Sequence, residues 1–89
     1  MAAAANAGVL VHWCGDNRYC HGRRGLPDLI LAGSNGTMFA ELKAEDGETS
    51  ADQDLWLSTL HDSGTPYAVW RPGNWESGLI RARLRDLHR

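Results

Sequence analysis

Gly25-Leu26-Pro27-Asp28-Leu29-Ile30-Leu31-Ala32-Gly33-Ser34-Asn35-Gly36-Thr37-Met38-Phe39-Ala40-Glu41-Leu42-Lys43 reads as two apolar runs joined by a tight turn. Leu29 to Ala32 is short enough for a buried strand, Gly33-Ser34-Asn35-Gly36 is a turn signal, and Thr37 to Lys43 follows as the returning strand. The turn admits two registers. With Ser34-Asn35 as the two-residue loop, Asp28 lies directly opposite Glu41. With Asn35-Gly36 there instead, Asp28 faces Lys43 and Glu41 is its diagonal neighbour. In both, strand parity puts Asp28, Glu41 and Lys43 on one face and sends Leu42 into the opposite layer.

Working outward, Val9-Leu10-Val11-His12-Trp13 predicts a preceding β-branched strand between Gly8 and Gly15. An acidic loop, Ala44 to Thr49, follows the hairpin. Ser50 with Gln53 three residues on is a capping-box signature, and Asp52 and Asp54 fall in the first turn, where the helix dipole favours negative charge. A helix is expected from Ala51 to about Asp62, with Trp56, Leu57 and Leu60 as its apolar face. Tyr67 to Trp70 predicts a fourth strand ended by Pro72-Gly73. A last helix is expected from Trp75 or Glu76 to Leu87, with Leu79, Ile80, Leu84 and Leu87 inward.

At 89 residues the chain predicts one domain, residues 1–89, near the lower limit for a single hydrophobic core. With 43% hydrophobic and 22% charged residues the composition is that of a globular protein, and no apolar run approaches the roughly 20 residues that span a bilayer. Met1 to Ala7 lacks the basic and long apolar regions of a secretory signal, so the expected setting is a reducing cytoplasm. The alanine, glycine and arginine bias points to a GC-rich genome, hence a bacterial cell or its phage-infected equivalent. Net charge is −2, yet it is segregated: Arg18, Arg23 and Arg24 precede Asp28, five arginines lie from Arg71 onward, and acids fill the centre. That pattern suits cations in the middle and phosphates at the rim.

Among nine basic residues Lys43 is the one lysine. An ammonium is a compact point charge that can hold a water or a phosphoryl oxygen in ways a planar guanidinium does not. Two carboxylates are hard oxygen ligands that suit magnesium or manganese, which take few protein groups. Asp28, Glu41 and Lys43 together meet the needs of metal-assisted phosphodiester hydrolysis.

Gly25-Leu26-Pro27-Asp28-Leu29, Glu41-Leu42-Lys43 and Gln53 on the next helix resemble the PD-(D/E)xK nuclease superfamily, and within it the VRR-NUC family. The resemblance runs from about Val9 to Leu87. It implies an α/β fold of restriction-endonuclease type, with a mixed sheet of about four strands flanked by helices. It also implies a Mg²⁺- or Mn²⁺-dependent phosphodiesterase acting on DNA. Asp28 and Glu41 would bind the metal with the Leu42 backbone carbonyl, Lys43 would position or activate the water, and Gln53 would sit at the edge of the site. Gln53 has a second reading from the residues themselves, as the box residue that bonds back to Ser50. Family members usually begin with a longer helix bearing a metal-site glutamate, whereas Met1 to Gly8 contains no acid. The expectation is therefore a truncated N-terminal helix. An open side of the core would then be covered in a homodimer, as in the Holliday-junction resolvases that short members resemble.

Arg18, His21, Arg23, Arg24 and Arg71 are the candidate nucleic-acid contacts. His12, Cys14, Cys20 and His21 do not have zinc-knuckle spacing and are expected to border the loop leading to Asp28. The leading expectation is a structure-selective endonuclease that nicks or cuts branched DNA, since no separate recognition domain is present. A binding module that keeps the fold but cleaves poorly is the alternative, and a purely structural role is the third.

Overall fold

The computed structural model describes residues 4, 8–13 and 22–88. Strands β1 (Leu10–Trp13), β2 (Leu29–Gly33) and β3 (Gly36–Leu42) are followed by helix α1 (Ala51–Asp62), strand β4 (Tyr67–Trp70), and helices α2 (Pro72–Glu76) and α3 (Leu79–Leu87). The sheet order is β1-β2-β3-β4. β1/β2 and β2/β3 are antiparallel, and β3/β4 is parallel. The result is a mixed four-stranded sheet flanked by helices, in an α/β fold. A parallel β3/β4 pair requires a crossover, which α1 supplies.

Register follows from the turn. Gly33 pairs with Gly36 and Leu29 with Ala40, so Ser34-Asn35 is the loop and the first of the two registers is the observed one. Leu29, Leu31, Met38 and Ala40 consequently share one face, where they are buried with Trp70 and with Ile80, Leu84 and Leu87 of α3. The hairpin tip also closes the end of α3. The Asn35 amide donates to Leu87 O and its side-chain Nδ2 to Asp86 O, both at 2.8 Å, satisfying carbonyls that a helix end leaves open.

The C-terminal region departs from expectation. Pro72 does not merely end β4; it opens the short helix α2, where a fixed φ and a missing N–H cost nothing. The single helix expected from Trp75 or Glu76 is broken at Gly78, whose φ of 84° is a left-handed conformation that ends α2 and restarts the chain as α3. The restart sets the apolar stripe at Ile80, Leu84 and Leu87. Leu79, expected inward, lies off that stripe and is 48% exposed.

Helix α1 forms where its caps predict. Gln53 N donates to Ser50 Oγ at 3.2 Å and Ser50 N donates to Gln53 Oε1 at 2.8 Å, completing the capping box. Leu60 is buried, with Trp56 and Leu57 half-buried beside it. The expectation of a truncated N-terminal helix falls on residues outside those described.

Candidate active site

Two backbone devices deliver Asp28. Pro27 is fully buried, so the residue before Asp28 is wedged in the protein with no N–H left to satisfy. Gly25 has φ of 91°, and a Cβ there would lie 2.4 Å from the backbone of Asp52. Only glycine lets the loop come this close to the start of α1. The Trp56 indole reinforces the contact, its Nε1 donating to Arg24 O at 2.9 Å. These contacts were not anticipated from the sequence. The Gly-x-Pro-Asp spelling was the signal for them, since it places a permissive residue and a rigid one just ahead of an acid.

Asp28 Oδ2 accepts the Leu42 amide at 2.9 Å, extending the observed register so that Asp28 stands across from Glu41. Glu41 is 2% exposed, on the face opposite Ala40. Its Oε1 accepts from Gln53 Nε2 at 3.0 Å, while its Oε2 is buried with no hydrogen-bond partner. Gln53 thus serves both of its readings at once, with Oε1 in the cap and Nε2 on Glu41.

Burial pushes the Glu41 carboxyl up to about 8, helped by a hydrogen bond with Asp28 and by Asp28's negative charge. Two carboxyls can share such a bond only when one of them holds a proton, so the bond to Asp28 belongs to the protonated form, and with both acids ionised Oε2 stands without a partner. The positive charge of Lys43 opposes the shift. Lys43 follows β3 directly, its backbone N–H donating to Trp70 O at 2.9 Å, and the strand alternation carried one residue further gives it the same face as Glu41.

Among the described residues no group of three or more His, Cys, Asp and Glu is gathered as for a metal. The donors present are a pair of carboxylates and nearby backbone carbonyls. Such a pair fits a hard cation that binds one or two carboxylates and keeps its waters, and the unpartnered buried Oε2 is the atom that would gain most from one.

Arg71 reaches back to the acidic loop through one guanidinium nitrogen. Its Nη1 donates to Ala44 O at 2.5 Å and to Gly47 O at 2.6 Å, clamping the acidic loop. The Glu45 carboxylate in turn accepts from Gly73 N at the start of α2. Arg23 and Arg24 are exposed on the loop before Asp28, and His12 is exposed on β1. Arg18, His21, Cys14 and Cys20 lie outside the described residues. No helix among the described residues is long and apolar enough to cross a membrane.

The sequence model of a family described as the VRR-NUC domain matches residues 2–72. No curated protein and no solved structure matches. The matched stretch takes in all four strands, α1, Asp28, Glu41, Lys43 and Gln53, and it stops short of α3. Spanning most of the chain, it shows that this protein belongs to the VRR-NUC family of nuclease domains.

Proposed function

We propose that the protein is a divalent-metal-dependent DNA endonuclease that selects its substrate by structure, nicking or cutting branched DNA. The observation that carries the reading is Asp28 set across from a buried Glu41 whose Oε2 has no partner, with Lys43 on the same face. Asp28 and Glu41, with the Leu42 carbonyl, would hold Mg²⁺ or Mn²⁺. When bound, that ion supplies an acidified water and neutralises charge on the phosphoryl oxygens.

The chain's own residues do the rest. Gln53 fixes Glu41 Oε1 and so leaves Oε2 as the free ligand atom. Asp28 is oriented by the Leu42 amide. Lys43 holds the attacking water and places positive charge beside the phosphorane-like transition state. Arg23 and Arg24, exposed just before Asp28, contact phosphates and fix the register of the strand, joined by Arg18 and His21. Arg71 acts mainly through the loop it clamps.

Nicked, branched and linear DNA incubated with Mg²⁺ or Mn²⁺ tests the proposal, with Lys43→Ala as control. Cutting that survives this substitution refutes the mechanism. The carboxylate pair standing without a third acid among the described residues favours a second reading, a module that binds DNA without cleaving it. That reading requires DNA binding indifferent to Asp28→Ala and Glu41→Ala.

The protein is further proposed to act as a homodimer. On the edge strand β1, Leu10 is 78% exposed and Trp13 67% exposed, a poor surface for an isolated molecule. A monomeric mass at micromolar concentration would count against it.

A further inference from the structure

Arg23, Leu55, Trp56 and Thr59 line a surface cavity of about 310 Å³ that the carboxylate chemistry does not use. Resting on the nuclease reading above, we infer that this cavity receives one unpaired nucleobase of a DNA strand, presenting a neighbouring phosphodiester to Asp28 and Glu41.

The lining has the chemistry an unstacked base requires. Trp56 offers an indole surface for stacking, which tolerates any base because every base has a π face. Leu55, 46% exposed, supplies apolar contact that no core residue takes up. Arg23 supplies a cation for the adjoining phosphate, and the Thr59 hydroxyl lies at the wall. Asp52, exposed one turn before Leu55 and Trp56, repels phosphate on that side, so the strand must leave over Arg23 and toward the loop that carries Asp28. A base held in a duplex keeps its faces stacked and cannot enter.

The cavity is also tied to the carboxylates by the fold. Trp56 follows Gln53 by about one helical turn, roughly 5 Å along α1, and Gln53 touches Glu41. The indole N–H is bonded to Arg24 O, four residues before Asp28. Base pocket and carboxylate pair therefore share both the helix and the loop, and the distance between them is fixed before substrate arrives. The cavity and the proposed cleavage site are thus linked through one helix and one loop, which would set a base in the first beside a phosphodiester at the second.

The test fills the cavity without disturbing Trp56. Thr59 is exposed and its hydroxyl bonds only to Leu55 O within the helix, so Thr59→Phe occupies the space at little cost to folding. Leu55→Glu, a second variant, sets a carboxylate at the rim. Binding is read with Mg²⁺ on the Lys43→Ala background, using duplexes that carry 2-aminopurine either in an unpaired gap or fully paired. Cleavage of the same duplexes is read with Lys43 intact.

The gapped duplex is expected to bind about tenfold more tightly than the paired one, with its 2-aminopurine emission quenched by stacking. Both cavity variants should lose the preference and the quenching. Equal binding of the two duplexes, or quenching that survives both variants, overturns the inference and leaves the nuclease reading standing. Quenching sensitive to both variants, with no strand cut under any metal, sinks the nuclease reading and leaves the base pocket.

Discussion

Asp28 Oδ2 takes the amide hydrogen of Leu42 at 2.9 Å, although Asp28 precedes β2 and Leu42 ends β3. One bond therefore closes the open end of the hairpin and aligns the carboxylate with Glu41, the neighbour of Leu42. Asp28→Asn keeps an oxygen that can accept this amide, so the fold should hold, with Tm within a few degrees of wild type. Its loss of charge should abolish Mn²⁺ binding. Calorimetric titration with Mn²⁺ checks this, and full metal affinity in the variant would remove Asp28 from the ligand set.

Lys43→Ala should lower cleavage about 10²- to 10³-fold, the size of effect seen when one transition-state donor is removed, while leaving Mn²⁺ binding in place. Lys43→Arg should not restore the rate, because a planar fork cannot replace a compact ammonium that holds a water. Single-turnover rates for the two variants, measured at saturating metal, decide the point.

Glu41 gives the protein a pH signature of definite sign. Its pKa is raised from the ordinary 4.5 to about 8, so the folded state holds a proton that the unfolded chain releases earlier. The associated stability is complete below about 4.5 and is lost as pH rises through about 8. Without metal, Tm should fall across this window, each kcal/mol amounting to about 4–8 °C in a domain of this size. Glu41→Gln, which is neutral throughout, should flatten the profile. Added Mg²⁺ or Mn²⁺ should raise Tm most near pH 8, where the ionised ligand form is reached, and should leave Glu41→Gln unmoved.

Gln53 separates capping from site chemistry. Ser50→Ala removes one side of the box and should cost about 1 kcal/mol of stability, with Gln53 Nε2 still free to hold Glu41. Gln53→Glu can still accept from Ser50 N, yet it turns a carboxylate toward Glu41 where Nε2 used to donate. It should keep the helix while reducing cleavage well beyond Ser50→Ala. Helix content by circular dichroism beside initial rates distinguishes the two losses.

How much of this was legible in the residues depends on the range of the interaction. The hairpin, the capping box and the shared face of Asp28, Glu41 and Lys43 are set by period-two alternation and by contacts a few positions apart, and all were written in the chain. The register was narrowed to two alternatives because Ser34-Asn35 and Asn35-Gly36 are both competent turns. The observed register is the one in which Gly33 pairs with Gly36 and Asn35 bonds to the end of α3. The break at Gly78 was missed because a lone glycine in an amphipathic run is tolerated as often as it terminates, and here its φ of 84° ends the short helix begun by Pro72. The clamp that Arg71 places on the acidic loop was not legible because its partners, the carbonyls of Ala44 and Gly47, are backbone atoms that any sequence would offer.

Gly25 is where fold and site meet most closely. A Cβ at this position would lie 2.4 Å from both the carbonyl carbon and oxygen of Asp52, and the φ of 91° is itself strained for any other residue. Gly25→Ala must therefore push the loop off the start of α1, taking with it the Arg24 carbonyl that Trp56 holds and, three residues on, Asp28. The strained backbone alone costs on the order of 1–3 kcal/mol, and the displaced carboxylate should weaken Mn²⁺ binding in molecules that remain folded. Leu26→Ala, next to it but without the close approach, serves as the control for the loop. If Gly25→Ala matches wild type in both Tm and metal affinity, the tight junction between loop and helix is not what positions Asp28.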